Sequence, residues 1–183
     1  MELGMVGLGR MGGNMAQRLL AGGHNIAAYD PGPEAVAAVE ALGARGTKSL
    51  EELVSSLSPP RAVWTMVPSG SITEDTIAAL GGLLSSGDTI VDGGNSNYKD
   101  SVRRASELGE KGVAFLDAGT SGGIWGLKEG YSLMVGGDAE AFQRLEPVFK
   151  TLAPGPDQGY GHVGPAGAGH FVKMVHKTAS STG

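Results

Sequence analysis

Six residues near the start of the chain, Gly7-Leu8-Gly9-Arg10-Met11-Gly12, restrict what it can fold into more than any other stretch. They follow a short apolar run, Leu3 to Val6, that reads as a buried strand. They open into a segment whose Met15, Leu19 and Leu20 recur at helical spacing, and Gly22-Gly23 ends that helix. A second strand, residues 25–29, leads to Asp30, 23 positions after Gly7. Strand, G-x-G-x-x-G turn, helix, strand and acid in this order form a dinucleotide-binding unit. The first glycine permits the tight turn, the second lets backbone approach a pyrophosphate, and the third lets helix and strand pack closely. The helix N-terminus offers N–H groups and a positive dipole end to the phosphates. The acid accepts hydrogen bonds from the adenosine ribose. With 32 glycines in 183 residues, a G-x-G-x-x-G spacing alone could be an ordinary glycine-rich turn; the surrounding elements separate the two readings.

Asp30 also bears on which dinucleotide is bound. It is followed by Pro31, Gly32 and Pro33, with no adjacent Arg or Lys. A carboxylate repels the extra phosphate of NADP, so NAD is expected over NADP. The plainer role for Asp30 is to cap the helix beginning near Pro33, and one residue can do both.

The rest of the chain alternates strand and helix signals. Strands are expected at 3–7, 25–30, 61–67, 89–92, 114–117, 131–135 and 159–163. Helices are expected at 11–21, 34–42, 49–57, 72–84, 98–111, 139–152 and 166–177. This pattern predicts an α/β, Rossmann-type, doubly wound and mostly parallel sheet filling residues 1–177. Residues 178–183 are small, polar and aperiodic, and read as a truncation or a cloning scar rather than a designed terminus. With 40% hydrophobic residues the chain can bury one good core and has no room for a second sizeable domain.

Charge and composition narrow the partners. The net charge is −5 and no long basic run exists, so nucleic acid and anionic membranes are not expected. No apolar stretch is long enough to span a bilayer, and no signal peptide is read at the start. Cytoplasm is the default compartment. With no cysteine, disulfides and thiolate chemistry are excluded, and no His, Asp and Glu cluster has metal-ligand spacing.

Ligand crevices in such sheets lie outside the carboxyl ends of the strands. Four polar or glycine-rich segments fall at those ends: 66–70, 92–96, 119–123 and 164–176. On the last helix His170, Lys173 and His176 recur every three residues among apolar neighbours. A lysine partly desolvated beside other cations has a depressed pKa and can act as a general base; the plainer reading is a solvated polar face. Asp92 and Asp117, at strand ends, read as turn caps. His24 and His162 read as satisfied turn or surface residues.

The segments at 7–16 (GLGRMGGNMA), 91–101 (VDGGNSNYKDS), 118–126 (AGTSGGIWG) and 164–176 (GPAGAGHFVKMVH) together resemble decarboxylating 6-phosphogluconate dehydrogenase, in its short NAD-preferring form. The broader β-hydroxyacid dehydrogenase superfamily shares the first, third and fourth more loosely. The resemblance implies oxidative decarboxylation of 6-phosphogluconate to ribulose 5-phosphate and CO2. It implies cofactor contacts from Gly7, Leu8, Gly9, Arg10, Met11, Gly12, Asp30, Met66, Val67 and Asn95. It implies substrate contacts from Asn95, Ser121, Gly122, Gly123, Lys173 and His176, with Lys173 taking the C3 hydroxyl proton. The family usually has Asn and Glu where this chain has Lys177 and Ser180. Its all-helical second domain is not in this sequence, and its enzymes are expected to be homodimers or homotetramers. The expectation is therefore a cofactor-binding domain impaired in turnover. The alternatives are another β-hydroxyacid dehydrogenase, of the 3-hydroxyisobutyrate type and without decarboxylation, and a stand-alone NAD-binding module.

Overall fold

A computed structural model describes residues 1–180. In chain order the elements are β1 (Glu2–Val6), α1 (Arg10–Ala21), β2 (Asn25–Tyr29), α2 (Pro33–Glu40), β3 (Arg45–Gly46), α3 (Leu50–Ser55), β4 (Ala62–Thr65) and α4 (Ser71–Leu83). Then come β5 (Thr89–Asp92), α5 (Tyr98–Gly109), β6 (Ala114–Ser121), a 3-10 turn (Gly123–Trp125), α6 (Gly126–Glu129), β7 (Ser132–Gly137), α7 (Ala139–Leu152), β8 (Tyr160–Gly164) and α8 (Ala168–Ser180). The strands form one sheet in the order β3-β2-β1-β4-β5-β6-β7-β8. The chain winds outward from β1 in one direction and then from β4 in the other, so the order reverses between β1 and β4. In open α/β sheets that reversal opens a crevice at the strands' carboxyl ends.

Every pairing is parallel except β6 with β7, which runs antiparallel with Ser121 opposite Ser132. The reason is connection length. Only residues 122–131 join the two strands, and a parallel crossover needs a dozen or more. Three features depart from the expected elements. The two-residue β3 is too short to show alternation. The glycine-rich turn 123–129 carries a 3-10 turn and a short helix instead of a loop. Helix α8 starts two residues later than expected and continues through Ser180, past its expected end at Lys177. Thr178 and Ser180 are helical there, their hydroxyls donating back to the Met174 and His176 carbonyls. Residues 181–183 of the expected tail lie outside the described residues.

Alternation along the strands sends side chains into two cores. One, built on Met15 and Leu19 of α1 and Leu145 and Phe149 of α7, encloses Trp64 and Leu116. Trp64 is fully buried with its ring edge against Phe149, at 5.9 Å between centroids. The other is built on Leu53 of α3, Ile77 and Leu80 of α4 and Leu108 of α5, over Ile90 and Phe115. On β6, Leu116 and Ala118 face the first core, while Phe115, and with it Asp117 and Gly119, point to the opposite face, where α8 lies.

Helix α8 sits closer to the sheet than ordinary side chains would allow. A Cβ on Gly169 would stand 2.2 Å from the Asp117 carbonyl oxygen and 2.4 Å from that of Met134. A Cβ on Gly119 would stand 2.7 Å from Lys173 Cβ. Bare backbone at these positions brings Lys173 down onto the end of β6. Asp117, fully buried, accepts hydrogen bonds from Gly167 N at 2.7 Å and His170 N at 2.8 Å, and so closes the amino end of the helix. Among the described residues no helix is long and apolar enough to cross a membrane.

Candidate active site at the carboxyl edge of the sheet

Two adjoining clefts occupy the carboxyl edge. The larger, about 590 Å³, opens over the β1–β4 reversal between the glycine turn and residues 66–68. Its walls include Gly7, Gly9, Arg10, Met11 and Gly12, with Asp30 at one side and Met66 and Val67 facing them. The turn is tight for a steric reason. Gly7 has φ of +90°, and a Cβ on it would meet the Met66 carbonyl oxygen at 2.3 Å. A Cβ on Gly12 would stand 2.0 Å from the Gly7 carbonyl oxygen, so the third glycine is what seats α1 against β1. Gly9 is different: a Cβ there meets nothing within 4 Å and would project into open space.

Gly9 caps α1 without a side-chain hydrogen bond, and the first turn of α1 carries no acid. The helix therefore presents backbone donors and a positive dipole end to the cleft. Asp30 is held by two backbone donors, Leu8 N at 2.8 Å on Oδ2 and Gly32 N at 2.7 Å on Oδ1. Each carboxylate oxygen keeps a further lone pair. Asp30 does not cap α2, whose N-cap is Gly32 without side-chain help. It pins the glycine turn to the end of β2. Leu8 contributes through its N–H, since its side chain is buried in the core. Arg10 shares this cleft with Asp30, so a cation stands near the acid although none is adjacent in sequence. A mainly apolar cleft with a bare helix terminus, an open face at Gly9 and an acid with spare lone pairs fits a dinucleotide.

The smaller cleft, about 250 Å³, lies between the β5–α5 loop and α8. Asn95, Ser96, Tyr98, His170, Lys173 and Lys177 line it. The Lys173 ammonium donates to Asn95 Oδ1 at 2.6 Å, joining two segments 78 residues apart in sequence. Burial pushes the Lys173 pKa below the usual lysine value, and the charge of Lys177 one turn on pushes it further down. Asn95 lines this cleft and not the larger one. His176 is exposed, and Lys177 rather than His176 joins Lys173 along the wall. Ser121, Gly122 and Gly123 stand at the carboxyl end of β6, two to four residues beyond Gly119, outside the lining of this cleft.

His170 is buried beside Lys173. Its Nδ1 pairs with Ser101 Oγ at 2.8 Å and stands 3.9 Å from Asp117 Oδ2. Its Nε2 is buried without a hydrogen-bond partner. Desolvation lowers the His170 pKa, outweighing the attraction of Asp92 and Asp117. Asp117 is driven the other way, its pKa raised by burial against the pull of its two backbone donors.

Asp92, also buried, organises the β5–α5 loop. Its Oδ1 accepts from Gly94 N at 3.0 Å and its Oδ2 from Ser96 Oγ at 2.5 Å, which grips the loop on both sides of Asn95. Behind it Arg104 of α5 is nearly buried, with Nη1 3.6 Å from Asp92 Oδ2. Its Nε and Nη2 donate to Glu74 Oε2 at 3.0 and 2.8 Å. Arg103 and Arg104 together hold the Glu74 carboxyl at about 2. Sequence reasoning found neither Arg104 nor Glu74. The available signal was an arginine on the stripe Ser101, Arg104 and Leu108 that α5 buries.

Residues 2–164 match the family profile described as the NAD binding domain of 6-phosphogluconate dehydrogenase. The chain belongs to that family. A 6-phosphogluconate dehydrogenase of Haloferax volcanii named as NAD(+)-dependent and decarboxylating is 47% identical over 176 residues, covering 96% of this chain and 58% of the relative. A Bacillus subtilis enzyme of the same name is 39% identical over 181 residues, covering 96% of this chain and 39% of the relative. The chain thus spans little more than half, or less, of the relatives it matches. Among solved structures, Plasmodium falciparum 6-phosphogluconate dehydrogenase superposes with a TM-score of 0.90 at 29% identity, over 98% of this chain and 40% of that one. Mycobacterium tuberculosis 3-hydroxyisobutyrate dehydrogenase gives 0.89 at 27% identity, over 98% and 60%. The chain therefore superposes about equally on a 6-phosphogluconate dehydrogenase and on a 3-hydroxyisobutyrate dehydrogenase, and the overall fold does not distinguish them.

Proposed function

We propose that the chain is the NAD-binding and proton-accepting part of an enzyme that oxidises 6-phosphogluconate at C3 and releases CO2 to give ribulose 5-phosphate. The observation that carries this reading is the contact of Lys173 with Asn95 in a cleft adjoining the glycine turn. The larger cleft suits NAD, with the pyrophosphate at the amino end of α1 and the ribose hydroxyls at Asp30. When bound, NAD supplies a two-electron acceptor for the hydrogen leaving C3. Lys173, its pKa lowered by burial and by Lys177, is the group that takes the C3 hydroxyl proton. Oxidation at C3 leaves a ketone β to the C1 carboxylate; that ketone accepts the electron pair of the breaking C1–C2 bond as CO2 departs, Lys173 returns its proton to the C3 oxygen, and the enediol takes a proton from water at the former C2 to give ribulose 5-phosphate. Asn95 orients the Lys173 amine and a substrate hydroxyl. Ser121, Gly122 and Gly123 offer donors to the substrate carboxylate, and His176 a bond to a substrate hydroxyl. Asp30 favours NAD over NADP, and Arg10 is the cation against which that preference acts.

NMR titration of the chain with NAD and 6-phosphogluconate tests the reading. Shifts from 6-phosphogluconate are expected at Asn95, Ser121 and Lys173, and 3-hydroxyisobutyrate at the same concentration is expected to leave them unmoved. Equal or larger shifts with 3-hydroxyisobutyrate would move the assignment to the non-decarboxylating branch.

A further inference from the structure

The β5–α5 loop presents Asn95 to Lys173, yet its own backbone is poorly suited to hold a side chain in place. It carries two successive glycines, Gly93 and Gly94, and Asn95 itself is exposed. Gly93 is anchored by its N–H on the Thr65 carbonyl, and beyond it Asp92 grips Gly94 N and Ser96 Oγ on either side of Asn95. Arg104 stands behind Asp92, with Nη1 3.6 Å from Asp92 Oδ2 and itself nearly buried. Arg104 Nη1 has no hydrogen-bond partner and faces Asp92, while Nε and Nη2 are tied to Glu74 at the surface.

We infer that Arg104 is a positioning residue: clamped by Glu74, it holds the Asp92 carboxylate in place, and so holds Asn95 against Lys173. The inference rests on the roles given above to Asn95 and Lys173. A planar fork fastened on one edge to Glu74 points its remaining nitrogen in a set direction, which a lysine ammonium cannot do. Without that fork behind it, the Asp92 side chain is free to turn away, and its grip on Gly94 and Ser96 loosens. Asn95 then leaves the cleft, and Lys173 gains water.

Two variants test this, Arg104→Lys and Glu74→Gln, with circular dichroism confirming the fold of each. The readouts are the side-chain carboxamide resonances of Asn95 and the pH titration of the Lys173 Cε resonance. A residue that merely supports the fold would move neither. In Arg104→Lys the Asn95 resonances should move and the Lys173 titration should rise towards the ordinary lysine range. Glu74→Gln should change both in the same direction by less. NAD affinity should stay within about twofold of the parent, since the glycine turn shares no partner with this chain of contacts. A folded Arg104→Lys with unchanged Asn95 and Lys173 signals overturns the inference. If Arg104→Lys does not fold, Glu74→Gln decides, and unchanged signals there overturn it too. Failure of the parent chain to bind NAD would instead remove the functional reading, leaving the Asn95 measurement to judge Arg104 by itself.

Discussion

Replacing Gly12 with alanine places a Cβ 2.0 Å from the Gly7 carbonyl oxygen and 3.2 Å from Met66 Cβ, where ordinary contact begins at 3.4 Å. The close neighbour is backbone at the tightest point of the turn, so it cannot swing aside as a flexible side chain would. Helix α1 must lift from β1 instead. Overpacking of this kind costs about 3 kcal/mol. Alanine returns up to about 1 kcal/mol through its better helix propensity. The net loss of about 2 kcal/mol corresponds to a fall in Tm of about 4–8 °C for a domain of this size. Gly9→Ala is the control. Its Cβ meets nothing within 4 Å, and its φ of −60° and ψ of −173° suit alanine. At an N-cap this exchange should cost no more than about 1 kcal/mol. The new methyl group lies where a pyrophosphate would approach the backbone, so NAD binding should weaken at least tenfold, about 1.4 kcal/mol. Thermal melts and NAD titrations of both variants separate the two jobs. A Gly12→Ala melt within about 2 °C of the parent would refute the packing argument, being less than 1 kcal/mol by the same scaling. A Gly9→Ala chain that binds NAD as the parent does would refute the approach argument.

Three further outcomes follow from the same contacts. Asp117→Ala leaves the N–H groups of Gly167 and His170 buried without their acceptor, at about 1–3 kcal/mol each, so its Tm should fall by several degrees; an unchanged melt would contradict the cap. The Glu74 carboxyl titrates at about 2 against an ordinary 4.5, so its stabilising contribution is present above pH 4.5 and is lost as pH falls from there towards 2. Because Glu74 is 40% exposed, that contribution stays below about 1 kcal/mol, and Glu74→Gln should lower stability near neutrality by that amount and flatten the acid limb between those pH values. Asp30→Ala removes the acceptor for Leu8 N and Gly32 N as well as the acid facing the ribose. It should weaken NAD more than NADP, and equal weakening of both would show that the charge of Asp30 does not discriminate.

The legible parts of this chain were those whose meaning is local. The turn at 7–12, helix α1 and Asp30 lie within one unit of about 30 residues, Gly7 and Gly12 have steric reasons for being there, and the elements recover in their expected places. Strand β5 was bounded correctly at Thr89 and Asp92 because a compact β-branched run ends at two glycines. Asp92 holds the turn after β5, as its position at a strand end implied, but Asp117 lies mid-strand because β6 runs on to Ser121, and it caps α8 rather than a turn. What stayed hidden depends on long-range geometry. The antiparallel β7 follows from a connection too short to cross over, obscured by taking residues 123–129 as loop. The closeness of α8 to the sheet needs Gly119, Gly136 and Gly169 to meet, three positions with no common spacing. His24 passed for a turn or surface residue, yet it is buried and its Nε2 pairs with Thr151 Oγ1 at 2.8 Å. Arg104 and Glu74, on different helices, acquire their roles only when α4 and α5 pack side by side. Lys173 was visible as a charge within an apolar helix; the family resemblance gave Asn95 a cofactor and substrate contact, but its pairing with Lys173 came only with the fold.

The most direct test of the central claim is a parallel calorimetric titration of the chain with NAD and NADP. The arrangement of Asp30, the bare N-terminus of α1 and the open face at Gly9 predicts NAD binding at least about tenfold tighter than NADP, a difference of about 1.4 kcal/mol. Equal or tighter binding of NADP would show that Arg10 outweighs Asp30 in the cleft. Binding of neither would contradict the assignment of the glycine turn as a working dinucleotide site.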